Sequence, residues 1–378
     1  MPKSLKTELS ALGQIVLVFQ GGGALGAYQI GVYQALHEAG IEPDWVIGTS
    51  IGAINAALIA GNAPADRLDK LREFWRRVEH GKMFDGPMAN LFSPMRTMSA
   101  IMSGIPAFFT PNPLAFLGQK VQLGAESAGY YSVQPLRETL SDLVDFDVVN
   151  SGPTRLTVGA ANVQTSEMRY FDSRDTPLDL RHVMASGALP PAFPAVRIDG
   201  ELFWDGGIVS NTPVEAVFDD NPRSNAMVFA VHLWNPHGAE PQSIWEVTNR
   251  QKDIQYSSRA HSHIKRQRQI HKLRHVIQKL SLLVPDNADI DEDLAILRSY
   301  GCETKMHVVR LLAPQLDNED HTKDVDFSPR GIRERWEAGY AHTSRMLEKA
   351  PWRAEADPLE GFILHEAMGG EIIDVAAA

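Results

Sequence analysis

The hydrophobic pattern near the start of the chain alternates between short apolar runs and helical spacing. Residues 15–19 (IVLVF) form an unbroken apolar run, which is typical of a strand buried on both faces. The spacing then predicts a helix over residues 27–39, a second strand over 45–47 and a second helix over 51–60. Because strands and helices alternate, we expect an α/β fold in which helices flank a central, mostly parallel sheet.

The middle of the chain continues with elements of both types. A helix is predicted over residues 62–80, a pair of strands over 156–163 and 167–171, and another buried strand over 227–233. The last of these, MVFAVHL, is apolar except for His232, so we expect it to be buried in the sheet.

A basic helix is predicted in the last third of the chain. Residues 254–281 contain no acidic side chain. An apolar stripe begins within them and ends just beyond them, at three- and four-residue steps: Ile270, Leu273, Ile277, Leu280 and Val284. One interpretation is a surface helix packed on the core. The other is contact with an anionic membrane surface or with a dimer partner.

The remaining C-terminal pattern is sparser. Residues 305–312 predict a late strand that could join the main sheet, and residues 329–349 predict a last helix. We expect the residues from 351 onward to be loosely held. The chain is thus predicted to contain a domain over residues 12–235 and a mainly helical extension over residues 236–378.

Residues 83–117 differ from their surroundings in composition. They hold five Met, five Phe and five Pro residues, which gives an irregular apolar segment. Flexible methionines combined with prolines suit an adaptable apolar surface. The segment is therefore interpreted either as a loop folded over the core or as a lid or acyl-chain pocket.

Charge and cysteine content narrow the functional classes. A formal net charge of −11 disfavours nucleic-acid binding, which requires a basic surface. The single cysteine, Cys302, excludes an intrachain disulfide and a cysteine metal site and is interpreted as a small buried apolar residue. We expect a cytoplasmic protein, because the sequence shows neither the apolar core of a signal peptide nor a run of ~18 apolar residues. A peripheral membrane role stays open.

A glycine cluster, GGGALG at residues 21–26, follows the first strand and precedes the first long helix. Its G-x-G-x-x-G spacing is that of a dinucleotide fingerprint, which requires an acidic residue at the end of the second strand. Glu42 and Asp44 instead precede that strand, so the pattern disfavours a nicotinamide cofactor. Consecutive glycine N–H groups at a helix N-terminus also form an anion nest, which suits a phosphate or the oxyanion of an acyl-transfer intermediate.

Ser50 lies between the second strand and the second helix, in the sequence Gly48-Thr49-Ser50-Ile51-Gly52. G-x-S-x-G at a strand-to-helix corner predicts a nucleophile elbow, which exposes the serine hydroxyl at the carboxyl end of the sheet. The glycine cluster follows the preceding strand, and consecutive parallel strands are usually neighbours. The two corners are therefore expected to face one reacting carbonyl group.

A serine nucleophile needs a base, and two kinds of candidate are present. His232 lies at the end of the strand predicted over 227–233, and His237 follows that strand. Both have the chain order of a Ser–acid–His triad, although nothing in their surroundings marks them. Asp205 ends the apolar run of GELFWDGG, against Gly206 and Gly207. The alternative for this Asp-Gly pair is an ordinary hairpin turn.

Together these pieces resemble the patatin-like phospholipases, serine lipid acyl hydrolases that use a Ser-Asp dyad. The resemblance rests on three ordered blocks between about residues 14 and 233: GGGALG at 21–26, GTSIG at 48–52, and DGG at 205–207 followed by NTP at 211–213. The segment ASGALPPAFPAV at 185–196 is similar to a further part of the family pattern. One departure is Leu25, where many family members carry Lys or Arg for an anionic headgroup.

The resemblance implies a patatin-like three-layer fold with Ser50 as nucleophile and Asp205 as general base, and no histidine, metal or cofactor. The amides of Gly21, Gly22 and Gly23 would form the oxyanion hole. Supporting positions in the motifs are Gly26, Gly48, Gly52, Gly206 and Gly207.

The function implied by the resemblance is cleavage of lipid acyl esters, with phospholipids or lysophospholipids as the first candidates. Neutral glycerides or a hydroxyacyl storage polyester are alternatives, and so is a catalytically silent lipid-binding or scaffold protein. A His-dependent esterase is a further alternative. The expected partners are the lipid or acyl ester and an anionic membrane surface, with no nucleic acid; the oligomeric state is open.

Overall fold

The computed structural model describes residues 5–80, 102–118, 120–284, 292–316, 319, 321–354, 360–368 and 371–373. Its strands are β1 (Gln14–Phe19), β2 (Trp45–Thr49), β3 (Thr110–Pro111), β4 (Tyr131–Ser132), β5 (Arg155–Asn162), β6 (Met168–Asp172), β7 (Val196–Ile198), β8 (Glu201–Asp205), β9 (Ala226–His232), β10 (Met306–Leu312), β11 (Phe362–Met368) and β12 (Glu371–Ile373). Its helices are α1 (Leu5–Ser10), α2 (Ala27–Glu38), α3 (Ile51–Ala60), α4 (Arg67–Val78), α5 (Gln134–Leu143), α6 (Phe146–Ser151), α7 (Leu180–Ser186), α8 (Glu215–Phe218), α9 (Ile244–Ser281), α10 (Glu292–Ser299) and α11 (Pro329–Lys349).

One mixed sheet organises the molecule, in the order β12-β11-β10-β9-β1-β2-β5-β8-β7, with β6 paired to β5. The run from β11 to β5 is parallel throughout. The antiparallel pairs lie towards its two ends, where β12 joins β11 and β6 and β8 join β5. The predicted α/β class with a mostly parallel sheet flanked by helices is confirmed.

Strand β1 lies inside the sheet because its side chains are apolar on both faces. Leu17 and Phe19 belong to one buried cluster, and Val16 and Val18 belong to a second cluster. All ten residues of α3 are also buried, which its Ala-rich sequence without any charged residue permits. The carboxyl ends of β1 and β2, where the functional motifs lie, are therefore held by a packed interior.

The C-terminal part of the chain shares this sheet. Strand β10 pairs with β9 over its whole length, so the late strand predicted at 305–312 does join the main sheet. The expectation of a loose tail from residue 351 is wrong over 360–368, because β11 pairs with β10. Trp352 is also buried and donates a hydrogen bond to Glu8 at 2.9 Å. The division of the chain near residue 236 stays a prediction.

Helix α9 exposes part of its apolar stripe to solvent. Leu273 and Leu280 are 62% and 57% exposed, whereas Ile264, His271 and His275 are buried. The rings of both buried histidines lie against the Thr304 carbonyl oxygen. The helix therefore does pack on the core, as the first interpretation has it, but through the face that carries Ile264 and the histidines. The remaining stripe residues Ile270, Ile277 and Val284 are half-buried. Among the described helices, none combines the length and hydropathy that crossing a bilayer requires.

Candidate active site

Ser50 occupies the sharp corner between β2 and α3. Its φ of 57° and ψ of −127° lie where non-glycine residues are rare, which is the backbone strain expected of a nucleophile elbow. The Ser50 hydroxyl does not cap α3, while the Ser50 amide donates to the carbonyl and hydroxyl oxygens of Ser186 at 3.1 and 3.0 Å. The α7 end thus anchors the corner and leaves the Ser50 hydroxyl available for chemistry.

The two glycines of the elbow allow the close packing that this corner requires. A Cβ on Gly48 would lie against the backbone of Gly52, and a Cβ on Gly52 would overlap the Phe19 carbonyl oxygen at the end of β1. Larger side chains at either position would push the elbow away from the neighbouring strand. Gly26 is similarly close to Ile51, where an added Cβ would lie 2.7 Å from a side-chain carbon.

Asp205 reaches Ser50 through the register of β5. Gly159 of β5 pairs with Thr49, and the next residue, Ala160, pairs with Asp205. The Asp205 carboxylate accepts hydrogen bonds from the Ser50 hydroxyl and, at 2.7 Å, from the Gly207 amide. The structure therefore brings together the two residues singled out in the sequence, although 154 intervening positions separate them.

Burial changes the basicity of Asp205. The residue is only 2% exposed, and this loss of solvent raises the pKa of its carboxyl group to about 6, against the lowering effect of its two hydrogen bonds. A carboxylate with that pKa is ionised at neutral pH and is a better proton acceptor than an exposed aspartate.

The hairpin interpretation of Asp205-Gly206 is wrong. The turn between β7 and β8 is made by another Asp-Gly pair, Asp199-Gly200, with φ values of 48° and 88°. Asp205 instead begins a short 3-10 turn, in which a Cβ on Gly206 would lie 2.5 Å from the Gly159 carbonyl oxygen. The glycine is needed there for close approach to β5.

The glycine turn lies beside Ser50, but its three amides are not equivalent. The Gly21 amide donates to the Asn211 carbonyl oxygen at 3.1 Å, so its predicted role in an oxyanion hole is not supported. The Gly21 carbonyl accepts from Asn211 and Trp234 at 3.1 and 2.8 Å. Gly22 and Gly23 line the cavity next to Ser50, and within the described residues their amides have no acceptor.

Gln20 is a buried residue that holds the glycine turn in place, and the sequence reasoning missed it. Its side-chain oxygen accepts from the amides of Leu233 and Trp234, at 2.5 and 3.0 Å. Its side-chain nitrogen donates to the Thr212 hydroxyl at 2.6 Å and to the Tyr256 carbonyl at 3.2 Å. The sequence does contain a signal for this role, because Gln20 comes directly after an apolar strand. A polar side chain buried at such a position needs hydrogen-bond partners.

A cavity of about 230 Å³ opens from Ser50 and Asp205 into an apolar interior. Aromatic side chains contribute much of its wall: Phe108, Phe109, Tyr131, Phe193, Trp234, Tyr256 and Phe327. Phe108 and Phe109 belong to the apolar segment predicted over 83–117, whereas residues 83–101 lie outside the described residues. Four lining residues, Tyr256, Asp324, Val325 and Phe327, come from the C-terminal part of the chain, which sequence reasoning did not connect with the site.

The other candidate groups lie away from this cavity. Neither His232 nor His237 is among its described lining residues, and burial near Arg310 holds the pKa of His232 well below its usual range. Asp44 accepts from the Ile15 amide at 2.7 Å, near the start of β1 and hence at the opposite end from the glycine turn. In the described part of the chain, no cluster of three or more His, Cys, Asp or Glu side chains has an arrangement suited to a metal ion.

Comparison with known proteins shows relatives at low identity. Lysophospholipase NTE1 of Mycosarcoma maydis is 29% identical over 230 residues, which cover 61% of this chain and 10% of that protein. Human patatin-like phospholipase domain-containing protein 6 is 30% identical over 206 residues, 53% of this chain and 12% of that protein. The chain thus spans about a tenth of the length of these two relatives.

Solved structures give weaker similarities. VipD from Legionella pneumophila has a TM-score of 0.37 at 17% identity, covering 89% of this chain and 67% of that chain. The effector ExoU has a TM-score of 0.30 at 16% identity, covering 89% and 53%.

Family models match most of this sequence. Residues 17–218 match the model described as patatin-like phospholipase, and residues 254–359 match a second model described as patatin phospholipase. The first match contains the glycine turn, the serine corner and Asp205. The chain therefore belongs to the patatin-like phospholipase family.

Proposed function

We propose that the protein is a serine hydrolase that cleaves acyl esters of lipids through an acyl-Ser50 intermediate, with Asp205 as the general base. One observation carries the proposal: the buried Asp205 carboxylate accepts a hydrogen bond from the Ser50 hydroxyl at the mouth of an aromatic cavity. A strained serine corner, a direct base and a neighbouring pair of amides with no acceptor among the described residues are the parts that acyl transfer requires.

Acylation begins when Asp205 takes the proton of the Ser50 hydroxyl as the Ser50 oxygen bonds to the ester carbonyl carbon. The carbonyl oxygen becomes negative, and the Gly22 and Gly23 amides at the N-terminal end of α2 donate to it. The carbon–oxygen bond to the alcohol then breaks, and Asp205 returns its proton to the departing alkoxide. The products of this step are the alcohol and an ester between the acyl group and Ser50.

Deacylation repeats the sequence with water. Asp205, again ionised, takes a proton from water as the water oxygen bonds to the acyl carbon. The bond to the Ser50 oxygen breaks, Ser50 recovers the proton from Asp205, and a carboxylic acid leaves. One acid residue therefore serves both half-reactions.

The shape and lining of the cavity favour a hydrophobic acyl group. Aromatic side chains bury apolar chains effectively, and the cavity leads directly from Ser50. One relative is named a lysophospholipase and others are named patatin-like phospholipases. Phospholipids and lysophospholipids are therefore the first candidate substrates, and neutral glycerides and storage polyesters are the competing ones.

Fluorophosphonate labelling tests the proposed chemistry directly, with the modified peptide identified by mass spectrometry. We expect the label on Ser50 in the wild type, no label in Ser50→Ala and much slower labelling in Asp205→Asn. Asp199→Asn is the matched control, because it makes the same change at the exposed end of β8. A folded wild type that takes no label would favour a silent lipid-binding protein.

A panel of esters then separates the substrate classes. Comparing phospholipid, lysophospholipid, triglyceride and polyester at matched acyl length should show preference for the first two. An equal rate on triglyceride would show that the enzyme does not select for a phosphate headgroup. The proposed role of Ser50 as nucleophile would stand. Replacement of His232 that abolished turnover, with Asp205→Asn active, would instead support the His-dependent esterase.

We also propose that the exposed face of α9 contacts an anionic membrane surface. Exposed Lys265, Lys272 and Lys279 flank the exposed Leu273 and Leu280, and residues 254–281 contain no acid. Such a face combines apolar burial with charge attraction to anionic lipid. Arg274 is not part of it, because it is half-buried and points towards the Phe218 carbonyl oxygen at 3.4 Å.

Sedimentation with vesicles containing phosphatidylserine tests this contact. The double variant Lys272→Glu/Lys279→Glu should bind several-fold less, and wild-type binding should weaken as salt is raised. Arg345→Glu/Lys349→Glu makes the same charge change on the exposed side of α11 and should bind like the wild type. Equal binding of all three proteins would remove the membrane proposal and leave a partner copy as the alternative.

A further inference from the structure

Two ion pairs join α9 to the loop before α11. Lys252 lies 2.8 Å from an Asp324 carboxylate oxygen, and Lys323 lies 2.7 Å from an Asp253 carboxylate oxygen. Each segment contributes a consecutive Lys-Asp pair, so the ion pairs connect opposite members of the two dipeptides. We refer to Lys252, Asp253, Lys323 and Asp324 as the clasp.

One half of the clasp is buried and therefore depends on its partner. Lys323 and Asp253 are each 5% exposed, and removing either would leave an uncompensated charge in the interior. The Lys323 ammonium also lies 5.4 Å from the centre of the Trp234 ring. Lys252 and Asp324 form the more exposed half, which can be altered at lower cost to folding.

The clasp reaches the glycine turn at two points. The Asp324 carbonyl oxygen is so close to Gly23, whose φ is 55°, that a Cβ on Gly23 would overlap it. Trp234, beneath the Lys323 ammonium, donates to the Gly21 carbonyl. The residues after Asp324 continue along the cavity wall with Val325 and Phe327.

The glycine turn at residues 21–26 needs contacts from other parts of the chain to fix its conformation, because glycine has little conformational preference of its own. An oxyanion site works only when its donors are already aimed at the developing charge. We propose that the clasp positions the catalytic turn: it holds the Asp324 backbone against Gly23 and keeps the Gly22 and Gly23 amides directed at the ester carbonyl oxygen. This inference rests on the proposed acylation of Ser50.

A charge exchange in the exposed half tests the proposal. The variants are Lys252→Asp, Asp324→Lys and the double variant that carries both changes, assayed on a short-chain ester. Active sites are counted by fluorophosphonate labelling, so that kcat refers to labelled sites only. We expect each single variant to lose about tenfold in kcat with KM within about twofold, since small displacements of catalytic groups have effects of this size. The double variant should recover most of the loss.

Glu334→Lys is the matched control, because it breaks the exposed Arg330–Glu334 pair on α11 and should leave kcat unchanged. Lys252→Met, which keeps the aliphatic stem, replaces Lys252→Asp if that protein does not fold. Unchanged kcat per labelled site in the single variants, or losses only in the fraction of protein that labels, would overturn the proposal. Wild-type labelling at Ser50 is read separately, so failure of the clasp and failure of the proposed chemistry are distinguishable.

Discussion

Strand β8 begins just after one Asp-Gly pair and ends at another, and the two pairs serve different purposes. Asp199 and Gly200 are exposed and form the turn of the β7–β8 hairpin with positive φ at both residues. Asp205 is buried, with a φ of −50°, and Gly206 lies against β5. The same dipeptide thus gives a solvent-exposed turn at one end and a candidate catalytic base at the other.

The difference comes from the surroundings and not from the dipeptide. At the first pair nothing lies near a Cβ added to Gly200, so the backbone is free to follow turn chemistry. At the second pair, the Ser50 hydroxyl and the Gly207 amide both donate to the carboxylate. A local motif therefore acquires its function from the strand register that brings β5 and β8 together.

The largest effect that separates the two aspartates should be on catalysis. Asp205→Asn should lower kcat/KM on a short-chain ester by about 10³-fold, because an amide cannot accept the Ser50 proton. Asp199→Asn should change kcat/KM less than twofold. Steady-state kinetics on the two purified variants measures both, and comparable losses would show that β8 geometry matters more than the base.

The second effect concerns stability as a function of pH. The pKa of Asp205 is raised by folding from 3.8 to about 6, so the folded state binds this proton more tightly than the unfolded state. The stability that the protonated Asp205 contributes is therefore fully present below pH ~4 and is lost as pH rises through about 6. The loss in the free energy of unfolding is ~3 kcal/mol at most. Asp205→Asn should remove this loss and increase the free energy of unfolding above pH 7.

Urea unfolding at pH 4 and pH 8 measures the difference. The gain for Asp205→Asn relative to the wild type should appear at pH 8 and shrink towards pH 4, whereas Asp199→Asn should track the wild type at both. A gain of equal size at both pH values would assign the effect to packing and not to the buried charge.

The smallest effect should distinguish the two glycines. Gly206→Ala should destabilise the protein by about 2 kcal/mol, because the added carbon meets the Gly159 carbonyl oxygen and must displace β5 or β8. Gly200→Ala should cost about 1 kcal/mol, since its only penalty is the positive φ. Thermal unfolding of both variants ranks them, and a reversed order would contradict the close approach at Gly206.

The sequence predicted best what depends on neighbouring residues. The strands β1, β2 and β9 and the helices α2, α3 and α11 were found within a few residues of their observed bounds, because periodicity and caps are local signals. The strand-to-helix corner at Ser50 belongs to this group. Asp205 was identified as the base through the family resemblance, because the Asp205-Gly206 dipeptide by itself favours a hairpin turn.

The parts that escaped prediction depend on tertiary contacts. Nothing near Gly21 in the sequence shows that the Gly21 amide donates a hydrogen bond to the Asn211 carbonyl oxygen. Likewise, nothing near Phe327 in the sequence places its ring in the cavity wall. Apolar spacing usually marks the buried face of a helix, but on α9 the stripe lies on the less buried face. The helix packs mainly through the opposite face, whose histidines meet the Thr304 carbonyl.

The position of β1 between β2 and β9 has a consequence for how the protein is made. Its register pairs Gln14 with Ala226, so one edge of this apolar strand stays open until β9 has left the ribosome. Long-range parallel pairing is slow, and open apolar edges favour aggregation. We expect nascent chains that end before β9 to depend on chaperones. The cavity wall is completed later still, by Phe327, so a newly made chain carries its serine corner long before it has a closed acyl cavity.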